Sequence, residues 1–271
     1  MKSDITDRSS SSSSEVEDLY GSSEGRLWEL VAGEMLHCGG LGQSMTMATQ
    51  AGITEGHKVL DLCSGFGSSL RFLAKKYKVQ GYGLDISAYM VEQANKRTRA
   101  EGLQGQIAYQ QGSVFQIPWQ DNTFDVVWGE DAWCYLDSKE GLIKEAVRVL
   151  KPGGVIAFSD WMTGPSGLSV EEAERIHSFM KFPYTESVKG YEKLLKKYAM
   201  RIKSAEDMCE QFINSMELYL RMITEQLTYD ALKILGGDSE LFDHVCEEWK
   251  FMIEVARKGR FCQGRIVAVK E

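Results

Sequence analysis

The chain has 271 residues, of which 43% are hydrophobic and 26% are charged. This length and composition are typical of one large or two small globular domains, whose apolar core needs no disulfide or metal for stability. Lysine and arginine number 31 against 39 acidic residues, a net charge of −8. The negative charge disfavours sequence-independent nucleic-acid binding, which requires a basic surface.

The cysteines and the N-terminal segment indicate a cytoplasmic protein. The six cysteines are widely spaced and form neither a CxxC nor a CxxH pair, so we expect free thiols and no metal site. No apolar run approaches the ~20 residues that cross a membrane. Residues 1–14 are rich in serine and contain acidic residues, which predicts a disordered tail and disfavours an Arg-rich transit peptide.

Helical and strand patterns follow the tail in chain order. Residues 15–52 have a helical pattern with a break at Gly39-Gly40, and we interpret them as an N-terminal lid. In residues 53–271, short apolar strands alternate with helices. Strands are predicted at 59–62, 81–85, 107–110, 124–128, 155–158, 200–203 and 265–269. Helices are predicted at 68–77, 89–101, 141–150, 191–198, 208–235 and 241–258.

This alternation predicts an α/β fold, with a doubly wound, mostly parallel sheet of seven strands. Right-handed crossovers place helices on both faces of the sheet. They leave a natural site at the carboxyl ends of the strands, where the strand order reverses. The helices near the C-terminus are too long for a simple connection, so residues of about 204–260 are predicted to form a cap inserted into the domain.

The loop after the first predicted strand is the first candidate site. Its sequence is Asp61-Leu62-Cys63-Ser64-Gly65-Phe66-Gly67, and its two glycines allow the backbone to approach a ligand closely. Asp85 ends the second strand, where a carboxylate can accept both hydroxyls of a ribose. The acidic residue at position 61 would repel a pyrophosphate and attract an ammonium group. A nicotinamide dehydrogenase is therefore the weaker alternative.

Together with three later segments, this loop resembles the class I S-adenosylmethionine-dependent methyltransferases. The later segments are Gln111-Gly112-Ser113-Val114, Phe124-Asp125-Val126-Val127-Trp128 and Leu150-Lys151-Pro152-Gly153-Gly154. The resemblance covers about residues 55–160 and implies S-adenosyl-L-methionine as the cofactor. Ser113 stands where many family members have aspartate. The cofactor-binding residues that the resemblance implies are Asp61, Cys63, Ser64, Gly65, Gly67, Asp85, Ile86, Gly112, Ser113, Val114 and Glu130.

Two further segments resemble the amine N-methyltransferases of betaine and phosphocholine synthesis. They are Gly33-Glu34-Met35-Leu36-His37-Cys38-Gly39-Gly40 and Trp128-Gly129-Glu130-Asp131-Ala132-Trp133-Cys134-Tyr135. The resemblance implies a small-molecule amine acceptor, closest to the sarcosine/dimethylglycine type. The phosphoethanolamine enzymes pair a catalytic tyrosine with a histidine. Tyr20 matches that tyrosine, but Tyr135 stands in the place of the histidine, so the pair is broken.

Methyl transfer to an amine requires an oriented, neutral nucleophile and a site that excludes water. Asp131 is the candidate for orienting the amine. Tyr20, Tyr135 and His37 are candidates for proton relay or for closing the lid. His37 lies beside a Gly-Gly turn, so a purely structural role is the alternative for this histidine.

Aromatic side chains are the candidates for contacting the acceptor, because the product of repeated N-methylation is a quaternary ammonium ion. Aromatic faces attract such a cation by about 0.5–2 kcal/mol each. The alternatives are that the tryptophans belong to the core and that the tyrosine anchors a loop. The candidate substrate-binding residues are Trp28, Trp133, Trp161 and Tyr184.

Three functions stay open at this point. The first is N-methylation of a small-molecule amine, of the sarcosine/dimethylglycine type, toward betaine. The second is O- or C-methylation of a natural product or a lipid-like acceptor. The third is a regulator that binds S-adenosylmethionine without catalysis. The expected partner is a small-molecule acceptor, with neither nucleic acid nor membrane, and the protein could form a homodimer.

Overall fold

A computed structural model describes residues 23–271, apart from the side chain of Glu24. Tyr20 and the predicted disordered tail lie outside the described residues, as does the first part of the predicted lid. Within the described part of the chain, no helix has both the length and the apolar character needed to span a bilayer. All six cysteines are free thiols, as the sequence predicts.

Seven strands and ten α-helices make up the described chain. The strands are β1 (Lys58–Leu62), β2 (Gln80–Asp85), β3 (Ile107–Gln111), β4 (Phe124–Glu130), β5 (Leu150–Thr163), β6 (Met200–Asp207) and β7 (Phe261–Lys270). The helices are α1 (Ser23–Ala32), α2 (Gly40–Ala51), α3 (Ser68–Tyr77), α4 (Ala88–Ala100), α5 (Lys139–Val149), α6 (Val170–Met180), α7 (Val188–Lys197), α8 (Cys209–Arg221), α9 (Thr228–Ile234) and α10 (Ser239–Arg257).

The strands form one mixed sheet in the order β3-β2-β1-β4-β5-β7-β6. The first five strands pair in parallel, and β7 runs antiparallel to both of its neighbours. The predicted α/β fold with a mostly parallel seven-stranded sheet is therefore confirmed. The strand order reverses between β1 and β4, and this places the expected ligand crevice at their carboxyl ends.

Two helical details differ from the sequence-based expectation. The predicted helix 208–235 is interrupted by a π-helical turn over Met222–Gln226, which separates α8 from α9. Helix α6 was not predicted. Ser169 and Glu172 form a capping box at its start, a local signal that marks a helix N-terminus.

The N-terminal segment packs against the C-terminal helices to form an aromatic cap core. Its buried members include residues of α1, α6, α8 and α10, together with Trp161 and Phe261 from the sheet. Trp28 of α1 stacks on Trp249 of α10, with their ring centroids 4.7 Å apart. A separate core lies between the sheet and α5 and α7. The lid and cap elements thus share one apolar core beside the carboxyl edge of the sheet.

Candidate active site

A pocket of about 400 Å³ lies at the carboxyl ends of β1, β2 and β4. All of the predicted cofactor residues except Gly67 line it, and so do Asp131 and Tyr135. The 3-10 turn Gly33–Met35 and Leu36 close one side of the pocket, which connects the N-terminal segment to the site. The pocket is thus a cleft at the position where an open α/β sheet binds its ligand.

The glycines after β1 have different tasks. Gly65 has a positive φ of 50°, and a side chain added there would meet only Leu36, at 3.9 Å. At Gly67, an added Cβ would lie 2.1 Å from the hydroxyl of Tyr109. Gly65 therefore keeps the pocket wall open, whereas Gly67 makes room for a neighbouring side chain. This explains why Gly67 is missing from the pocket lining.

Asp85 shapes the loop that follows β1. Its carboxylate accepts hydrogen bonds from the Gly65 N–H at 2.8 Å and from the Ser87 N–H at 3.0 Å. Burial raises the pKa of Asp85, although the backbone N–H donors counteract this shift. The hydroxyl of Ser64 is buried in the pocket wall without a hydrogen-bond partner. A ligand that offers a polar group here would satisfy that hydroxyl.

The charged side chains that line the described pocket are all acidic. Asp61 is 3% exposed, and its pKa is raised well above the usual value by burial and then by the negative charges of Glu130 and Asp85. Close like charges in a buried site make each ionisation costly until a cation enters. The acidic lining residues are Glu34, Asp61, Asp85, Glu130, Asp131 and Asp137.

Glu130 is held by three donors. Its carboxylate accepts hydrogen bonds from Ser44 Oγ at 2.7 Å, Ser69 Oγ at 2.5 Å and Trp128 Nε1 at 3.0 Å. His37 does not line the pocket. Its Nε2 lies 3.2 Å from Ser44 Oγ and 3.5 Å from Glu130 Oε1, so this buried histidine contacts the pocket through Ser44 and Glu130.

Asp131 connects the N-terminal segment to the sheet. Its carboxylate accepts hydrogen bonds from the Cys38 N–H at 2.9 Å and from Ser159 Oγ at 2.7 Å. Gln263 Nε2 of β7 lies 2.7 and 2.8 Å from its two oxygens. Burial raises the pKa of Asp131, while His37 and these donors oppose the shift. Three protein donors thus hold the Asp131 carboxylate in the wall of the pocket.

Tyr135 lies in a 3-10 turn, Trp133–Tyr135. The buried side chain of Lys139 hydrogen-bonds to this turn. The ring of Tyr135 packs edge-on against Phe182, with centroids 4.9 Å apart. The Lys139 ammonium donates to the carbonyl of Leu136 at 2.6 Å and to those of Cys134 and Tyr184 at 3.2 Å. Burial lowers the pKa of Lys139, against the attraction of nearby acidic groups such as Asp160. The turn that brings Tyr135 to the pocket is therefore rigidly supported.

None of the four predicted substrate-binding aromatic residues lines the pocket. Trp28 and Trp161 belong to the aromatic cap core, with centroids 5.6 Å apart. Trp133 is fully buried and stacks on Phe158 at 4.2 Å. The ring of Tyr184 lies 4.1 Å from the Lys139 ammonium. The structure thus places these side chains in packing positions, the alternative that the sequence leaves open.

Several lining residues were not predicted. The turn Gly33–Met35 supplies Glu34 and Met35, and the first turn of α3 supplies Ser68 and Ser69. The resemblance of residues 33–40 to the amine N-methyltransferases indicates that this turn contributes to the site, but it does not identify these individual side chains. Gln263 gave no signal at all, because it lies in an ordinary strand and reaches Asp131 across 132 residues of sequence.

Residues 60–158 match the methyltransferase domain family. The chain is 37% identical over 120 residues to a glycine/sarcosine/dimethylglycine N-methyltransferase of Actinopolyspora halophila, a match that covers 44% of this chain and 21% of that protein. It is 27% identical over 253 residues to phosphoethanolamine N-methyltransferase 1 of Arabidopsis thaliana, covering 93% of this chain and 50% of the relative. The chain thus spans half or less of the length of these curated relatives.

Other relatives act on a different kind of acceptor. A sterol 24-C-methyltransferase of Aspergillus fumigatus is 37% identical over 116 residues, which is 43% of this chain and 31% of that protein. Among solved structures, a Galdieria sulphuraria protein assigned to the sarcosine dimethylglycine methyltransferases superposes with a TM-score of 0.83 at 22% identity, covering 92% of this chain and 97% of that one. These comparisons confirm the resemblance that the sequence predicts and the fold, and they leave the acceptor unassigned.

Proposed function

We propose that this chain, whose residues 60–158 match the methyltransferase domain family, transfers a methyl group from S-adenosylmethionine to a small-molecule amine. One observation carries the proposal. The buried carboxylates of Asp61, Asp85 and Asp131 line one pocket at the carboxyl edge of the sheet, together with Glu130, whose side chain is 4% exposed. Such a site favours positively charged ligands, and both the sulfonium cofactor and a protonated amine are cations.

The residues of the pocket fit S-adenosylmethionine, whose sulfonium supplies an electrophilic methyl group when it is bound. Asp61 would hold the amino group of the methionine part, and Asp85 would hold the ribose hydroxyls. Ile86 and Val114 would contact the adenine. Burial of the Ser64 hydroxyl without a protein partner supports a polar ligand group beside this loop. The fit therefore rests on charge and on an unsatisfied donor.

The acceptor end of the pocket is the part lined by Met35, Leu36, Asp131 and Tyr135. The negative charge of Asp131 would attract and orient an amine. Methyl transfer requires the amine to lose its proton, and the hydroxyl of Tyr135 and the His37–Ser44–Glu130 chain would accept or relay it. Tyr20 is a further relay candidate from outside the described residues. Sarcosine and dimethylglycine are the amines we propose first, with betaine as the product.

A C-methyltransferase is the second candidate. Met35, Leu36 and Phe115 add apolar surface to the pocket lining, and a sterol C-methyltransferase is among the relatives. An apolar acceptor would use this surface and would not need Asp131 to attract a charge.

The test uses the full chain with methyl-labelled S-adenosylmethionine and a panel of acceptors. The panel contains sarcosine, dimethylglycine, phosphoethanolamine, amines without an anionic group, and a sterol. Labelled betaine would support the proposal in its narrow form, and any other labelled amine would support amine methylation in general. Transfer only to the sterol would replace it with the second candidate. Tight cofactor binding without transfer to any acceptor would indicate a regulator.

A further inference from the structure

A cluster of two thiols and one carboxylate lies outside the pocket, at the base of the cap. Asp207 ends β6, Cys209 begins α8, and Cys262 is the second residue of β7. The Sγ atoms of the cysteines and a carboxylate oxygen of Asp207 all lie within 4.8 Å of one another. The Met208 N–H donates to the carbonyl of Gln263 at 2.9 Å, and this bond holds the start of α8 against β7.

The two thiols differ in their access to solvent. Cys209 is half-buried, whereas Cys262 is fully buried. A hydrogen bond between the two side chains, followed by burial, raises the pKa of Cys262 far above its usual value. A small reagent can therefore reach Cys209 but not Cys262, and the two sulfur atoms lie within 4.8 Å of each other.

A disulfide between Cys209 and Cys262 would constrain a long segment of the chain. The segment between residues 209 and 262 contains most of α8, all of α9 and α10, and the π-helical turn. A covalent link would join the two ends of this inserted segment. Closing a loop of this length restricts the unfolded chain and stabilises the folded one.

We propose that Cys209 and Cys262 form an intramolecular disulfide when the protein meets a low-molecular-weight disulfide such as oxidised glutathione. Cys209 gives up its proton to solvent, and its sulfur attacks the reagent. This step forms a mixed disulfide and releases one glutathione thiolate. Cys262 then attacks Cys209 Sγ, the bond from that sulfur to glutathione breaks, and the Cys262 proton leaves with the second glutathione as its thiol. Two electrons pass from the protein thiols to the reagent.

The order of attack follows from the contacts. The half-buried Cys209 meets the reagent first, and the buried Cys262 then attacks the neighbouring sulfur atom. The completed link would also fix the β7 residue next to Gln263, whose side chain holds Asp131. Oxidation would therefore stabilise the cap and the sheet edge beneath the acceptor end of the pocket.

The experiment treats the full chain with oxidised glutathione and blocks the remaining thiols. Mass spectrometry of the digested protein should find the peptides of Cys209 and Cys262 joined, two hydrogen atoms lighter than their sum. The melting temperature should rise by about 5 °C or more, and dithiothreitol should reverse this rise. Cys209→Ser should lose the link and the rise, whereas Cys246→Ser, which removes a buried thiol of α10, should keep both.

Three results would overturn the proposal. One is glutathione attached to Cys209 with Cys262 still free after prolonged treatment. Another is a link that joins two chains in place of one. The third is stoichiometric zinc in the untreated protein that protects the thiols and is lost in both Cys209→Ser and Cys262→Ser, because the cluster would then be a metal site. The reversal of the rise in melting temperature by dithiothreitol is measured on the chain without substitutions, so this readout does not depend on the folding of any variant.

Discussion

The acidic pocket and the aromatic cap core lie side by side, and they use their buried residues in opposite ways. In the pocket, buried carboxylates face a cavity, and burial followed by the negative charges of Glu130 and Asp85 raises the pKa of Asp61. In the cap core, Trp28 packs against both Trp161 and Trp249. Burial of a carboxylate costs free energy, whereas burial of an indole is favourable.

This contrast separates residues that bind from residues that pack. A buried acidic residue requires compensation, so its presence beside a cavity points to a ligand. A tryptophan needs no such explanation, because it is equally suited to a core and to a cation site. The following four experiments test this distinction.

The largest effect is expected at Asp61. Asp61→Asn should abolish measurable binding of S-adenosylhomocysteine in calorimetry, because it removes the charge that we propose holds the ligand ammonium. The matched control is Asp125→Asn, which changes a half-buried carboxylate of β4 that pairs with Lys151 outside the pocket. Unchanged affinity in Asp61→Asn would remove the cofactor role from this residue.

The cap core is tested by Trp161→Ala. Loss of this buried ring, which contacts Trp28, Phe212 and Phe261, should lower the free energy of unfolding by about 3–5 kcal/mol. Tyr229→Ala is the control, because Tyr229 is 77% exposed and should change stability by about 0.5 kcal/mol or less. Denaturant melts give both values. A stable Trp161→Ala protein with a raised acceptor KM would instead place this ring in the substrate site.

Gln263→Leu tests the support of Asp131. The substitution removes the donor that contacts both carboxylate oxygens, and a buried group left without its partner costs about 1–3 kcal/mol. We expect turnover to fall about tenfold, equivalent to about 1.4 kcal/mol in the barrier, while cofactor affinity stays within about twofold. Gln211→Leu, at an exposed position of α8, is the control. Equal loss of turnover and cofactor affinity would mean that Gln263 supports the whole pocket.

The smallest effect is a proton count. Burial and neighbouring carboxylates raise the pKa of Asp61 in the free protein, and a bound cation would lower it. Between these two values the free protein holds more protons than the complex. Cofactor binding should therefore release a fraction of a proton and strengthen as pH rises through that interval. Calorimetry in two buffers of different ionisation enthalpy measures this fraction, and uptake of protons would contradict it.

Much of the sheet and of the proposed cofactor loop, residues 63–67 between β1 and α3, could be predicted from the sequence, because their signals are local. The apolar run of residues 59–62 and the acidic residue Asp85 each mark the end of a strand without information from the rest of the chain. The tryptophans could not be assigned in this way. In the sequence, Trp161 and Trp133 are equally suited to a cation site and to a core. Only their contacts with rings that are distant in the sequence show that they belong to the core.

The hydrogen bonds from Gln263 to Asp131 cannot be predicted from the sequence, for a different reason. Gln263 has no neighbouring motif, and its meeting with Asp131 depends on the antiparallel placement of β7 between β5 and β6. Asp131 itself was singled out from the sequence as a group that orients the substrate. Its catalytic role stays a prediction, and the structure adds the three donors that hold it.

The distance along the chain between Asp131 and Gln263 also has a consequence for synthesis on the ribosome. The parallel strands that build the cofactor loop are translated long before β7, which follows Asp131 by 132 residues at the point of contact. Until that strand is released and inserted, the Asp131 carboxylate lacks its amide partner. The nascent protein would thus complete its cofactor loop early and its acceptor end late.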